Sequence, residues 1–253
     1  MSANKIYFAS DFHLGAPNAA VSRERELEIC RWIDSIKPDA KALFLVGDLF
    51  DIWFDYKEVV PRGYVRFLGK LADWTDSGRQ LYIFTGNHDL WMSDYFEKEL
   101  GAKVFFEPQT FDFGTGAQLF VGHGDGLGPK DIGYKLMKRV FTNPFCKWLY
   151  RWLHPDIGLP LAAFFSGKSR NAQGGAYVEE AFLGLENEWL YLYVERKKQQ
   201  LPHINYFIFG HRHLVLDLHL TDTQARYINL GEWFSARHYA VLDGTSMELK
   251  KWV

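Results

Sequence analysis

Five short polar segments in this chain each follow a run of apolar residues. They carry Asp, Asn and His, the side chains that bind hard and borderline metal ions through oxygen and nitrogen. The segments are Asp11-Phe12-His13, Gly47-Asp48-Leu49-Phe50-Asp51, Gly86-Asn87-His88-Asp89, Gly122-His123-Gly124-Asp125 and Gly210-His211-Arg212-His213. Because a strand buried on both faces has a continuous apolar run, this order predicts several strands that each end in a candidate ligand.

Helical patterns separate the first three of these apolar runs. Strands are predicted at residues 6–10, 42–46, 81–85, 119–121 and 206–209, and helices at residues 23–36 and 64–77. Alternation of strand and helix is typical of a layered α/β core, in which ligands bind beyond the carboxyl ends of the strands. All five polar segments lie at such ends. Four short strands, at residues 214–220, 225–230, 239–242 and 248–253, predict a second sheet packed on the first.

The spacing of the segments predicts an insertion. Asp11, Asp48, Asn87 and His123 follow one another at intervals of 36–39 residues, whereas 88 residues separate His123 from His211. We therefore predict a core of residues 1–125 and 202–253 and a helical cap insertion at residues 126–201. Its predicted helices lie near residues 131–141, 144–153, 159–166 and 178–200.

Composition excludes several classes of protein. The 253 residues are 47% hydrophobic, which indicates a globular protein. Their net charge of −2 gives no reason to expect a nucleic acid as partner. Cys30 and Cys146 lie far apart in the sequence and are expected to be reduced in a cytoplasmic protein. The N-terminus has no signal-peptide pattern, and no stretch reaches the roughly 20 apolar residues that span a bilayer.

The candidate ligands predict a site for two metal ions. Asp48 is the best candidate for a bridging carboxylate. Residues two apart at a strand end point to the same side, as Asp11 and His13 do. The predicted metal ligands are Asp11, His13, Asp48, Asn87, His123, His211 and His213. Two such ions generate a nucleophile from water near neutral pH and stabilise the charge that develops on phosphorus oxygens.

Three residues beside the ligands are predicted to take part in catalysis. His88 follows Asn87 and is expected to contact the phosphoryl group or to protonate the leaving group. Asp89 is expected to orient His88, and Asp51 to steady the metal cluster. The predicted catalytic residues are therefore Asn87, His88 and Asp89.

Together, the five segments resemble the signature of the calcineurin-like metallophosphoesterases, and the resemblance covers most of the chain. It implies a four-layer α/β/β/α sandwich and two bound ions, expected to be Mn²⁺. It also implies that the first ion binds Asp11, His13, Asp48 and His213. The second ion would bind Asp48, Asn87, His123 and His211.

Within the family, the chain is similar to a branch that cleaves the pyrophosphate of a nucleotide-linked lipid, UDP-2,3-diacylglucosamine. Residues 10–14, 47–50 and 123–125 carry this similarity, together with Asp131 followed by Tyr134. It implies the products UMP and lipid X, a role in lipid A biosynthesis, and a cytoplasmic enzyme in peripheral contact with the inner membrane. The branch usually has Arg in place of His88. The expected substrate contacts are Asn87, His88, Asp131, Tyr134, Ser169, Arg170 and His211.

Residues 141–165 are apolar on most helical faces and carry few charges. They predict either a cap that receives acyl chains and touches the membrane, or a helix pair packed on the main domain. Two other functions stay open on sequence alone. One is hydrolysis of a soluble phosphoester, which His88 favours. The other is a non-catalytic scaffold that binds a protein through the cap, which the complete ligand set disfavours.

Overall fold

The computed structural model describes residues 4–128, 132–172 and 181–253, with side chains outside residues 132–134, 137, 165 and 167–172. Its strands are β1 Lys5–Ala9, β2 Ala40–Val46, β3 Gln80–Phe84, β4 Lys103–Phe105, β5 Gln109–Asp112, β6 Gln118–Val121, β7 Tyr206–Phe209, β8 Val215–His219, β9 Arg226–Leu230, β10 His238–Asp243 and β11 Ser246–Lys251. Its helices are α1 Ala19–Ile36, α2 Val65–Asp76, α3 Tyr95–Lys98, α4 Ile132–Thr142, α5 Pro144–Arg151, α6 Pro155–Ala172 and α7 Trp189–Gln200.

The strands form two mixed sheets. The first has the order β11-β10-β1-β2-β3-β4, in which β1 to β4 are parallel and β10 pairs antiparallel with β1. The second has the order β5-β6-β7-β9-β8, in which β6, β7 and β9 are parallel. Parallel strands occupy the centre of both sheets, so their carboxyl ends can present several loops to one site.

Apolar side chains stack these sheets and helices into four layers. Phe8, Phe44 and Phe84 point from the first sheet toward the second, where they pack with residues such as Leu119 and Ile208. The opposite face of the first sheet packs against α1 and α2. The outer face of the second sheet packs against α7. The predicted four-layer α/β/β/α arrangement is confirmed.

Three parts of the sequence-based prediction differ from the structure. The four C-terminal strands do not form one sheet: β8 and β9 join the second sheet, whereas β10 and β11 extend the first. Helix α7, at the end of the predicted insertion, covers the second sheet through Leu190, Tyr191 and Val194. Residues 181–188, predicted as helix, form a loop and turn. The short elements α3, β4 and β5 had no predicted counterpart.

The remaining helices of the insertion, α4, α5 and α6, are called the cap helices below. They dock on the loops that follow β2 and β3. The indole Nε1 of Trp91 donates to the carbonyl of Phe141 at 2.7 Å, and its ring lies 4.5 Å from that of Tyr150, centroid to centroid. Lys138 pairs with the buried Asp125 at 2.7 Å. Within the described residues, no helix has both the length and the apolar character needed to cross a membrane.

Phe44 tests the packing between the two sheets. Its side chain is fully buried, and its ring stacks on Phe8 at 4.8 Å and on Tyr82 at 4.4 Å. Phe44→Ala should lower the free energy of unfolding by about 3–5 kcal/mol, because it leaves a cavity that neighbouring rings cannot fill. Denaturant unfolding measures this loss. The matched control Phe145→Ala, at a side chain that is 65% exposed, should change stability by about 0.5 kcal/mol or less. Equal losses in both variants would contradict the proposed packing.

Candidate metal centre

The structure brings six of the seven predicted metal ligands into two groups. Each residue of a group offers one ligand atom within 4.8 Å of the others. The groups are Asp11, His13 and His213, and Asp48, His123 and His211. These residues follow the ends of strands in both sheets, so the site lies at the edge of the stacked sheets where these strands end.

The Asp48 carboxylate connects the two groups. Its Oδ2 atom lies 3.5 Å from His13 Nε2 in the first group and 3.4 Å from His123 Nε2 in the second. Its other oxygen, Oδ1, accepts the backbone N–H of His88 at 2.9 Å. One carboxylate oxygen is thus held by the backbone while the other faces imidazoles from both groups. This is the arrangement that a bridging ligand requires.

Asp11 and Asp48 are ionised although they are buried. Burial alone raises the pKa of Asp11, but the neighbouring imidazoles of His13 and His213 outweigh it and hold the pKa below the usual range. Burial opposes ionisation of Asp48 as well, and the charge of His123 outweighs it and holds the pKa of Asp48 well below the usual value. The site therefore concentrates negative charge that cations would neutralise.

The histidines differ in their protonation. Burial lowers the pKa of His13 to about 4, and burial together with the charge of His123 lowers that of His211 to about 4. Both imidazoles are neutral at pH 7 and can donate a lone pair. Burial also disfavours a charge on His123, but Asp48 outweighs this effect and raises the pKa to about 10. A proton on His123 would have to leave before its Nε2 atom could bind a cation.

Local hydrogen bonds orient these ligands. His123 Nδ1 lies 2.8 Å from the carbonyl oxygen of Val46, which can only accept, so Nδ1 is the donor and Nε2 points to Asp48. Asp11 Oδ2 accepts the hydroxyl of Ser10 at 2.5 Å and the backbone N–H of His211 at 3.0 Å. Asp11 and His123 are thus each held on the side away from the site.

Asn87 shows that the residues fit a metal ion. Its Oδ1 atom is buried and accepts no hydrogen bond within the described part of the chain. A buried amide oxygen without a donor costs roughly 1–3 kcal/mol, which a bound cation would offset. His13 Nε2 and His213 Nε2 also face each other at 3.3 Å. Carboxylate, amide and imidazole donors together suit divalent ions of the first transition row.

Backbone strain is concentrated at the candidate ligands. Five of them have positive φ angles, between 41° and 67°, in the left-handed region that side chains other than glycine seldom adopt. They are Asp11, His13, Asp48, His211 and His213. Strain of this kind costs about 1–3 kcal/mol per residue and persists only where the surrounding fold enforces it. The sharp turns let chain ends from separate strands aim side chains at one point.

Two glycines allow the strand ends to approach closely. A Cβ atom on Gly86 would lie 2.1 Å from Asp48 Oδ1 and 2.6 Å from the Asp48 backbone nitrogen. A Cβ atom on Gly210 would lie 2.0 Å from Ser10 Oγ and 2.4 Å from Asp11 Oδ2. Any side chain at these positions would displace a buried carboxylate.

His88 contacts Asp51 and Ser166 and not Asp89, the neighbour that the sequence predicts. Its Nδ1 atom lies 3.1 Å from the carbonyl oxygen of Asp51 and 3.1 Å from Ser166 Oγ on α6. The carboxylate of Asp89 instead accepts the backbone N–H groups of Gly86 at 2.7 Å and Leu49 at 2.8 Å. Burial, and next the charge of Asp48, raise the pKa of Asp89 to about 7. Asp89 therefore joins the ends of β2 and β3 and does not orient His88, which corrects the sequence-based expectation.

Four predicted substrate contacts lie outside the described part of the structure. Asp131 is not among the described residues, and the side chains of Tyr134, Ser169 and Arg170 are not described. Of the other expected contacts, Asn87, His88 and His211 lie at the site. Their roles toward substrate stay predictions.

The sequence reasoning missed two supports of the ligand loops. Phe234 stacks on the ring of His13, with the ring centroids 5.2 Å apart. The guanidinium of Arg25 lies over the Phe234 ring, 4.3 Å from its centroid. Arg212 forms a bidentate ion pair with Glu188, which is 2% exposed. Arg212 stands between two predicted ligands in the sequence, which was a usable signal. Nothing in the sequence near Phe234 or Arg25 pointed to the site.

Gly86 tests whether close approach of the strand ends is needed for metal binding. Gly86→Ala should remove at least one bound ion per chain, because the new methyl group would displace Asp48. Metal content after incubation and dialysis measures this loss. Gly69→Ala on α2 is the matched control: its Cβ would meet nothing within 4 Å, and alanine favours a helix by about 1 kcal/mol. Full metal content in Gly86→Ala would refute the assignment.

Comparison with known proteins agrees with this geometry. Residues 4–215 match the model of the calcineurin-like phosphoesterase family. A UDP-2,3-diacylglucosamine hydrolase of Porphyromonas gingivalis is 39% identical, with coverage of 98% of this chain and 97% of that protein. A protein of the same name from Pseudomonas putida is 28% identical over 90% of both chains. Another from Actinobacillus succinogenes is 27% identical, covering 91% of this chain and 92% of that protein. The chain belongs to the calcineurin-like phosphoesterase family.

Proposed function

We propose that this protein is a metal-dependent hydrolase that cleaves the pyrophosphate of UDP-2,3-diacylglucosamine, releasing UMP and lipid X for lipid A biosynthesis. One observation carries the reaction class: Asp48 Oδ2 lies within 3.5 Å of imidazoles from both ligand groups. The names of relatives that align along nearly the whole chain support the substrate.

The residues suited to hold the ions are those of the two groups together with Asn87. We propose manganese as the native metal because the set combines carboxylate and amide oxygens with imidazole nitrogens. When bound, two such ions would supply Lewis-acid stabilisation of phosphoryl oxygens and activation of water.

His88 is the proposed contact to the phosphoryl group. Its Nδ1 atom faces a backbone carbonyl, which requires a hydrogen on Nδ1 and leaves the Nε2 lone pair available. The His88 ring lies 4.9 Å from the ring of His13, centroid to centroid, which places it at the first ligand group. An imidazole in this position can hold a phosphoryl oxygen when protonated or pass a proton to the departing phosphate.

The cap helices support a lipid substrate. None of the residues of α5 is buried, and the cap exposes large apolar side chains, including Trp152 at 75% and Phe145 at 65%. A contiguous apolar surface of this kind usually contacts a partner, a ligand or a membrane. We propose that acyl chains enter beside the cap helices and that the cap rests on the cytoplasmic face of the inner membrane. We further propose that this insertion ends before α7.

The reaction is tested with purified, manganese-loaded protein and UDP-2,3-diacylglucosamine, with UMP and lipid X measured as products. Wild type should release both. Asp48→Ala should lower turnover by roughly a thousandfold or more, because both ligand groups lose their shared carboxylate. Asp34→Ala is the control, since this carboxylate pairs with Lys70 on the surface and the variant should keep full activity. Circular dichroism verifies that both variants are folded.

The alternative outcomes are distinct. Near-wild-type release of UMP by folded Asp48→Ala would refute the two-metal mechanism. If wild type releases no UMP but hydrolyses an aryl phosphodiester, the two-metal chemistry stands and the lipid substrate is wrong. The protein would then act on a soluble phosphoester.

Membrane contact is tested by co-sedimentation with vesicles that contain phosphatidylglycerol. Replacing Trp148 and Trp152 by Ser should weaken binding at least about tenfold, because each exposed indole would lose its burial at the interface. The control Val65→Ser changes a side chain that is 68% exposed on α2. This helix packs on the face of the first sheet that is turned away from the second sheet. Equal binding by wild type and the double variant would argue against membrane contact through the cap.

A further inference from the structure

The hydroxyl of Ser166 joins the cap to the candidate catalytic histidine. Ser166 lies on α6, and its Oγ atom is 3.1 Å from His88 Nδ1. The same hydroxyl lies 3.5 Å from both the carbonyl oxygen and the Oδ1 atom of Asp51. His88 follows β3 and Asp51 follows β2, so this one hydroxyl contacts two loops that frame the site.

The chemistry of the three groups determines what the contact does. A backbone carbonyl only accepts, so the hydrogen on His88 Nδ1 is directed to the region between Asp51 and Ser166. A serine hydroxyl can accept one hydrogen bond and donate another. The Ser166 oxygen can therefore accept the His88 Nδ1–H together with the Asp51 carbonyl, while the Ser166 hydroxyl donates its own hydrogen to Asp51. Two acceptors on one ring nitrogen restrict rotation of the imidazole more than one does.

We propose that Ser166 is a positioning residue that aligns His88 when the cap helices are seated on the core. His88 would then have its working orientation only with α6 in place, which couples docking of the cap to catalysis. The inference concerns phosphoester hydrolysis at the proposed site, and so it rests on the proposed function. It adds a residue of the cap to the machinery that controls the reacting phosphate.

A double-mutant cycle separates this role from a structural one. The probe is hydrolysis of bis(4-nitrophenyl) phosphate by manganese-loaded protein, which needs no lipid. Ser166→Ala should lower kcat about five- to tenfold with little change in KM, the effect of one lost hydrogen bond to a positioned group. Ser166→Thr keeps the hydroxyl and should restore most of the activity. In the His88→Ala background, Ser166→Ala should have no further effect.

Hydrogen exchange supplies a second readout that does not depend on turnover. Amides of residues 155–166 should exchange several-fold faster in Ser166→Ala and in His88→Ala, because each variant removes the same tie between α6 and the core. Thr142→Ala is the matched control, because its hydroxyl bonds at 2.7 Å to the Lys138 carbonyl within the same helix, α4. It should change neither kcat nor exchange in α6.

The outcomes separate this proposal from the proposed function. Equal effects of Ser166→Ala in wild-type and His88→Ala backgrounds would overturn it, as would full activity of His88→Ala. In either case, release of UMP from UDP-2,3-diacylglucosamine by wild type would leave the proposed function standing. If wild type cleaves only the aryl ester, the lipid substrate fails while the cycle still decides the role of Ser166.

Discussion

The carboxylates of Asp11 and Asp48 are buried at the ends of β1 and β2, with 0% and 2% of their surface exposed. Burial of two like charges so near each other would be strongly unfavourable without compensation. The fold provides this compensation differently for the two oxygens of each carboxylate. On each carboxylate one oxygen accepts backbone or hydroxyl hydrogens, and the other faces imidazoles. The remaining attraction for positive charge suits this site to hold metal ions.

This requirement explains the irregular backbone around the site. Strands β1, β2 and β7 are buried up to their last residues, and the chain then turns through left-handed conformations at Asp11, Asp48 and His211. Such turns are costly, and the apolar layers on both faces of the sheets provide the stability that offsets them. Gly86 and Gly210 let the turns come within contact distance. Apolar burial within the sheets stabilises the fold, and the strained backbone conformations lie at the ends of the strands.

The cap differs from the core in how it is held. Its contacts with the core combine aromatic packing around Trp91 and Tyr150 with polar ties such as Lys138 to Asp125, while much of its apolar surface faces outward. An outward apolar face suits a substrate that has both a charged nucleotide and acyl chains. The hydroxyl of Ser166 then places the same insertion in contact with the residue that would meet the phosphate. Recognition of the lipid and alignment of His88 would thus depend on one structural element.

The sequence by itself determined the central strands and the seven candidate ligands, because apolar runs that stop at Asp, Asn or His are local patterns. The resemblance to the calcineurin-like phosphoesterases added the reaction class and the expected division of those ligands between two ions. Tertiary structure decided the rest. The pairing of β10 with β1 joins residues far apart in the chain, and no local pattern distinguishes it from a pairing within the C-terminal strands. Likewise, Leu190 and Val194 are apolar wherever α7 packs, and the sequence does not show which surface receives them. In the folded chain it is the outer face of the second sheet. His88 is oriented by a backbone carbonyl and by Ser166. A carbonyl is common to every residue, so only the folded chain shows which one meets the imidazole.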